Sequence, residues 1–267
     1  MPYFRPLRTY QAVDEVVDAF SKRLLTFLLI IGNPGVGKTS RFRRQLGDNA
    51  LIIDCTASPF GVYCELGRRP DCDFVVLDDI DGLLSDRRGV TLLKSLGQTE
   101  VEKVVSWHTQ AAGREGLPRR LDLHCRVMML ANEAKGRGAN FEAVMDRAHC
   151  YEFLPTADEV HRQVGGWIER GEAGAGVERD VFDFIGRNLA LIPRPSFRHY
   201  VKASEGARAG LDWQGDLVTL WTEDPKLAAV AEIMRRAEAG DPTLATAEQR
   251  VQRFREWGHG SRSTFMG

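Results

Sequence analysis

The chain has 267 residues, of which 43% are hydrophobic and 27% charged, enough for one large or two modest domains with a full apolar core. Its 36 Lys and Arg balance 37 Asp and Glu, which excludes a globally basic nucleic-acid coat and confines any such contact to a local patch. Five scattered cysteines (Cys55, Cys64, Cys72, Cys125, Cys150) form no C-x-x-C pair, so the pattern argues for free thiols in a reducing cytoplasm rather than disulfides or a zinc site.

In chain order, the first periodic segment, residues 10–22, puts Val13, Val16, Val17 and Phe20 on one face and predicts a helix. The apolar run from Leu24 to Ile31 predicts a buried strand; broken by Thr26, it falls far short of the ~20 residues that a membrane span needs. Residues 1–22 carry mixed charges without a signal-peptide pattern, so the expectation is a cytoplasmic protein that does not engage a membrane.

The predicted strand feeds Gly32-Asn33-Pro34-Gly35-Val36-Gly37-Lys38-Thr39, which fits G-x-x-x-x-G-K-[ST] at every fixed position. Glycines there supply backbone angles closed to other residues, and the N–H groups turn toward phosphate oxygens at the start of a helix. This predicts a nucleoside triphosphate site formed by residues 32–40, including Ser40. Lys38, taken as an exposed loop lysine, would reach the β- and γ-phosphates, and the Thr39 hydroxyl would bind Mg²⁺. Residues 40–46 continue as a helix with Arg41, Arg43 and Arg44, stopped at Gly47. A short strand over 50–54, a Ser58-Pro59 turn and a helix through Tyr63 to Leu66 follow, and this alternation implies a parallel sheet.

Phe74-Val75-Val76-Leu77-Asp78-Asp79 runs four apolar residues into two carboxylates, as a buried parallel strand does when it emerges at its C-terminal edge. About 40 residues after a phosphate loop this has the form of a Walker B motif. Asp78 would hold Mg²⁺, and Asp79 would polarise the water that attacks the γ-phosphate.

With both motifs in place the chain resembles the AAA+ ATPases. The apolar strand Arg126 to Leu130 ends at Ala131-Asn132, and the resemblance makes Asn132 the sensor-1 residue that orients the attacking water. Residues 141–153, F-E-A-V-M-D-R-A-H-C-Y-E-F, are similar to a clamp-loader segment, which makes Arg147 the arginine finger reaching a neighbouring subunit's nucleotide and implies an oligomer, ring or filament. The alternative is a surface arginine paired with Asp146. Pro155 closes the core, and Thr156 with Glu159 reads as a capping box opening a second, helical domain over 155–222. In the family such a bundle is the lid. Arg198 in Pro195-Ser196-Phe197-Arg198 matches its sensor-2 arginine, with Arg194 as the substitute.

Two departures from the family matter. Most AAA+ motors carry Glu where this chain has Asp79, and the missing methylene predicts slow or water-bridged hydrolysis. No aromatic-hydrophobic-Gly pore-loop triplet follows the second strand; the nearest match, Pro59-Phe60-Gly61-Val62, reads as a turn entering a helix. Trp107-His108 reads as packing.

Residues 223–267 form a third expected unit. Asp224-Pro225 opens a helix with Leu227, Val230, Ile233 and Met234 on one stripe. A helix from Thr246 to Trp257 carries Arg250, Arg253 and Arg255, and Gly258 followed by Ser261-Arg262-Ser263-Thr264-Phe265 is similar to a helix-turn-helix, the alternative being a frayed basic tail. The expectation is therefore an α/β P-loop NTPase core over 1–154 with a parallel sheet and flanking helices, then a lid and a short helical appendage. It would be an oligomeric, Mg²⁺-dependent ATPase that acts on DNA in replication, recombination or transposition. The alternatives are a nucleotide-gated scaffold that recruits a partner protein, and a remodeller of a protein complex.

Overall fold

The computed structural model describes residues 4–47, 50–54, 58–132, 139–171, 176–221 and 225–258. The chain divides into two compact units, Met1–Thr156 and Ala157–Gly267.

In the first unit the elements follow as β1 (Arg5–Leu7), α1 (Tyr10–Ser21), β2 (Phe27–Gly32), α2 (Lys38–Leu46), β3 (Ala50–Asp54), α3 (Pro59–Arg68), β4 (Phe74–Asp78), α4 (Asp81–Ser85), α5 (Arg87–Leu96), β5 (Glu102–Ser106), α6 (Gln110–Arg114), β6 (Arg120–His124), β7 (Arg126–Ala131), α7 (Ala139–Met145) and β8 (His149–Phe153). Six strands form one sheet in the order β1-β8-β2-β7-β4-β3, and every pairing in it is parallel. All six residues of β2 are buried, as a strand covered on both faces requires. Because β7 lies between β2 and β4, the three strands that carry the phosphate loop, Asn132 and the two carboxylates are neighbours and end at one edge of the sheet.

Local chemistry explains where the elements begin and end. β2 starts at Phe27 rather than Leu24 because residues 22–24 terminate α1: Arg23 takes a left-handed φ of 65°, Leu24 N–H donates to Ala19 O at 3.0 Å, and the Leu24 side chain is left 72% exposed. α3 starts at Pro59, with Ser58 Oγ accepting from Gly61 N at 3.2 Å, so Phe60 and Gly61 enter a helix as the sequence indicates. Thr9 caps α1, and Asp86 caps α5 through Arg88 N–H and Gly89 N–H at 2.6 and 3.1 Å.

An antiparallel hairpin, β5 with β6, is inserted between α5 and β7; the sequence reading assigned neither strand. Its alternation is regular: Lys103, Val105, Leu121 and Leu123 face inward and the residues between them are exposed. Lys103 is buried yet satisfied, its ammonium donating to Gln98 O at 2.7 Å and Glu100 O at 2.8 Å. Burial holds its pKa below the usual lysine value. Trp107 packs on the rings of Phe60 and Tyr63 at 5.5 and 5.6 Å, the packing role expected of it. Cys64, Cys72, Cys125 and Cys150 are buried free thiols; burial raises Cys125 to about 12 and Cys150 to about 11, which keeps them protonated and inert. Cys55 lies outside the described residues.

The second unit is helical: α8 (Ala157–Glu169), α9 (Arg179–Arg187), α10 (Phe197–Arg208), α11 (Trp213–Trp221), α12 (Pro225–Glu238) and α13 (Ala247–Glu256). His161 stacks on Phe182 with centroids 4.0 Å apart and meets Tyr200 Oη at 3.1 Å. Phe184 packs between Trp213 and Trp221 at 5.2 and 6.4 Å. Residues 225–258 belong to this unit, because α12 packs on α11 and Arg235 reaches Asp212 at 3.4 Å. A small core of Ala229, Ile233, Leu244 and Phe254 joins α12 to α13. Of the expected stripe on α12, Ile233 is fully buried and Met234 is 37% exposed; the Leu227 side chain lies outside the described residues.

Thr246 and Gln249 form a reciprocal capping box at the start of α13, and Gly258, at φ 81°, follows its end. Residues 259–267, on which the helix-turn-helix reading depends, lie outside the described residues. Part of the expected basic patch is already engaged locally. Arg250 donates to Leu244 O at 2.8 Å and Ala245 O at 3.3 Å, and Arg253 pairs with Glu256 at 3.3 Å.

Candidate functional site

The phosphate loop owes its path to glycine at two kinds of position. A Cβ on Gly32 would lie 2.6 Å from Phe153 O and 3.2 Å from Phe153 Cβ, because Gly32 is paired with Phe153 across β2 and β8. Only glycine admits β8 at that distance. Gly35 and Gly37 have φ of 78° and 79°, in the left-handed region closed to most side chains. Gly37 is the N-cap of α2 and supplies no side-chain hydrogen bond, so the first N–H groups of α2 face the loop without a capping side chain.

Two contacts that sequence reading missed hold the loop from behind. Tyr10 Oη donates to Val36 O at 3.0 Å, and the same ring meets Phe153 edge-on at 5.1 Å. Arg41 forms a bidentate pair with Asp14, and its guanidinium lies over the Tyr10 ring at 4.8 Å. α1 is thereby tied to both the loop and α2. Motif matching had no means of finding Tyr10 and Asp14, which lie upstream of the motif, and Arg41, just past it, read only as one of three arginines on a helix; a tyrosine at the head of an amphipathic helix was the other trace.

Lys38 is not an exposed loop lysine: only 8% of it is accessible. Its ammonium donates to Gly32 O, to Asn33 O at 3.0 Å and to Asn132 Oδ1 at 3.5 Å. The Asn132 amide Nδ2 in turn donates to Asp79 Oδ1 at 3.1 Å, and the Asn132 N–H donates to Asp81 Oδ2 at 3.3 Å. Residues separated by 94 and 53 positions in sequence thus form one chain of contacts, Lys38 to Asn132 to Asp79. Asp79 has φ 55°, a left-handed geometry that Asp tolerates better than most residues. Ile80 N–H is then anchored to Leu130 O at 3.1 Å. Asp78 is half-buried at the end of β4 and Asp79 is exposed one residue further on.

Thr39 is half-buried in the first turn of α2, and the Ser40 hydroxyl donates to Gly37 O at 3.1 Å. Pro34 is exposed at the loop tip and Val36 is fully buried beneath it. Arg147 does not join this group. It is exposed in the turn between α7 and β8 and donates to Ala143 O, with no ion pair to Asp146 recorded among the described residues. Since Leu28 is level with His149 and Gly32 with Phe153, Arg147 lies at the opposite end of the sheet from its own phosphate loop. The four intervening residue steps span roughly 13 Å. Arg198 is exposed in the first turn of α10 in the second unit, where its N–H donates to Ser196 Oγ at 3.2 Å.

The residues fit a nucleotide triphosphate with its metal. Left-handed glycines and an uncapped helix start offer N–H donors, Lys38 offers a cation, and Thr39 and Asp78 offer a hydroxyl and a carboxylate of the type Mg²⁺ takes beside phosphate oxygens. The first unit is an α/β P-loop fold with a parallel sheet.

No family model and no curated protein matches the chain. Among solved structures it is similar to the Aeropyrum pernix Orc1 protein in complex with DNA, at 15% identity and TM-score 0.49 over 94% of this chain and 77% of that one. It is also similar to a mutant of Thermotoga maritima RuvB, at 12% identity and TM-score 0.48 over 85% of this chain and 74% of that one. Among the described residues no helix is long and apolar enough to cross a membrane.

Proposed function

We propose that the chain is an AAA+ ATPase that binds and hydrolyses ATP between copies of itself and works on DNA. The observation that carries the reading is the contact chain from Lys38 through Asn132 to Asp79, which couples a phosphate-loop lysine to a carboxylate suited to polarising water. In this reading residues 32–40 cradle the phosphates, Lys38 exchanges its carbonyl partners for phosphate oxygens, and Thr39 and Asp78 hold Mg²⁺. The metal would supply charge neutralisation on the phosphates. Asp79 would accept the proton of the attacking water, and Asn132 would hold the Asp79 carboxylate in place for it.

Arg147 is too far from the loop of its own chain to serve it, which supports a role on a neighbour's nucleotide and hence an oligomer. Arg198 would sense the γ-phosphate from the lid, residues 155–222, with residues 223–267 as an appendage. The DNA reading rests on the family resemblance and on what the Orc1 structure holds.

A second reading is a nucleotide-gated scaffold in which hydrolysis is only a timer. Asp79 favours it, since a side chain one methylene shorter than Glu is held by Asn132 at 3.1 Å and has limited reach. The deciding test compares wild type with Lys38→Met, which keeps the aliphatic stem of a residue that is 8% exposed. The variant should fold as wild type and bind ATP at least about tenfold more weakly. Unchanged ATP affinity would remove the phosphate-loop assignment, while tight ATP binding by wild type with negligible turnover, with and without DNA, would select the scaffold.

A further inference from the structure

The small sheet of the first unit leaves one strand edge open. Ser106 faces Arg120 in the register of β5 and β6, so Trp107 stands opposite Arg119, and Trp107 N–H donates to Arg119 O at 2.8 Å. That bond makes the two a hydrogen-bonded pair. By the alternation of an antiparallel ladder, Leu121 and Leu123 then turn their main-chain groups toward β5. The N–H and C=O groups of Arg120, Asp122 and His124 point away from the hairpin, and among the described residues no hydrogen bond reaches any of them.

Two other edges are guarded. On β5 the outward Val104 N–H meets Gln98 Oε1 at 3.4 Å. β1, at the rim of the large sheet, has three residues with Pro6 at their centre. β6 has no proline or glycine. Its side chains alternate, with Leu121 and Leu123 buried and Arg120, Asp122 and His124 exposed. The charges on the exposed face cancel along the strand, where Arg120 pairs with Asp122 at 2.7 Å and both side chains are more than half exposed. The edge therefore lacks the net charge that commonly keeps such edges apart.

An open edge fits another extended strand, and the charges select which one. Let β6 lie antiparallel to a second β6, with Leu121 beside the partner's Leu121 at the twofold axis. Arg120 then stands opposite the partner's Asp122, and Asp122 opposite the partner's Arg120. Both positions have outward main-chain groups, so each pair can exchange two N–H···O bonds. The neighbouring registers fail on charge. One sets Asp122 against the partner's Asp122, and the other sets Arg120 against the partner's Arg126.

We propose that β6 is a docking edge for a second copy of this chain, which extends the two-stranded sheet across a twofold axis through Arg120 and Asp122. The contact is isologous, unlike the head-to-tail contact that Arg147 would make with a neighbour's nucleotide. It needs no nucleotide and does not rest on the ATPase reading. One short strand buries little area, so the dimer belongs to the weak class.

The test is sedimentation of the full chain without nucleotide, at up to about 200 µM, where weak contacts are populated. It compares wild type, Arg120→Glu, Asp122→Arg, their equimolar mixture and the double variant. Both side chains are more than half exposed, so every variant retains the core. Wild type should reach a reversible monomer–dimer equilibrium, and Lys38→Met should leave it unchanged. Each single substitution sets like charges opposite each other and should raise the dissociation constant at least about tenfold. The mixture and the double variant bring opposite charges together again and should recover dimers. In wild type, amide exchange at Arg120 and Asp122 should slow as concentration rises.

A wild type that stays monomeric throughout, single variants that dimerise within about twofold of wild type, or a mixture no more associated than its components would each overturn the proposal. So would slowed exchange at these amides only when an extended peptide of alternating threonine and valine is added, which would assign the edge to a foreign strand. Dimers in Lys38→Met that match wild type, beside lost ATP binding, would keep this contact separate from the nucleotide site.

Discussion

The carboxamide of Asn132 spans two groups that the sequence places far apart, accepting from Lys38 Nζ at 3.5 Å and donating to Asp79 Oδ1 at 3.1 Å. One side chain at the end of β7 therefore fixes a carboxylate whose backbone sits at φ 55°. Asn132→Ala removes that hold without touching the loop glycines or the Lys38 contacts to Gly32 O and Asn33 O. ATP affinity should stay within about threefold of wild type while turnover falls roughly 10- to 100-fold, the range expected when a positioned acid-base group loses its orientation. Nucleotide titration beside steady-state phosphate release checks both halves. Equal losses in affinity and turnover would show that Asn132 only supports Lys38.

The sheet and much of this site were legible in the sequence because their signals are local. The run Phe74 to Leu77 ending in Asp78 is all that a buried parallel strand requires, and Gly32 to Thr39 carries its own backbone demands. What escaped reading depends on partners distant in sequence. The hairpin β5 with β6 alternates regularly, yet a buried Lys103 on its inward face reads as a surface residue until Gln98 O and Glu100 O appear beside it. Lys38 was mistaken for an exposed residue for the same reason, since its acceptors and Asn132 close over it only in three dimensions. Leu24 was read into β2 because hydrophobicity alone does not reveal that Arg23 has turned left-handed to end α1.

Arg147 offers a test of action between subunits. It lies at the end of the sheet opposite its own loop, and its guanidinium donates to the Ala143 carbonyl. Arg147→Ala should abolish ATP turnover, by roughly 10³-fold or more if it acts as a finger, while leaving nucleotide binding by each subunit intact. Asp79→Asn should be inactive for a different reason, loss of the carboxylate. Mixing the two variants should restore measurable turnover at junctions where an intact Arg147 meets an intact Asp79. Mixed oligomers that stay as inactive as either parent would show that Arg147 is not the finger.

The second unit contains a pH dependence whose sign follows from its histidines. His199 accepts from Trp221 Nε1 at 3.2 Å, and His161 is held between Phe182 and Tyr200. Burial lowers both pKa values from 6.5. For His161, Asp158 and Asp183 oppose that shift, while Lys202 reinforces it for His199. Above the unfolded value both states are neutral and no penalty arises. As pH falls through about 6.5 toward the lower folded values, the unfolded chain binds protons first and stability is lost. Trp167, Trp213, Trp221 and Trp257, four of the five tryptophans, lie in this unit, so tryptophan fluorescence reports mainly its melting. The midpoint should drop as pH is lowered from about 7.5 to 5.5, and His199→Gln should flatten that slope. A midpoint independent of pH across this range would contradict the burial of both rings.

Arg250 was expected to serve a DNA-binding tail, and its contacts argue for a structural role. Its guanidinium donates to Leu244 O and Ala245 O at 2.8 and 3.3 Å, closing the turn that brings Leu244 onto Ile233 and Phe254. Removing residues 241–267 would strip Leu244 and Phe254 from that core, so a deletion would confound lost DNA contacts with an unfolded α12. Point variants separate the two. Arg250→Ala should lower the urea midpoint, costing about 1–3 kcal/mol for two carbonyls left without a charged donor, and change DNA affinity at a temperature where the protein stays folded by less than about twofold. Arg255→Glu, at an exposed position, should leave stability alone and weaken DNA binding with a shallower salt slope if the tail touches phosphate. Should Arg250→Ala instead leave the urea midpoint unchanged and weaken DNA binding, its carbonyl contacts contribute little and the basic tail regains Arg250 as a DNA contact.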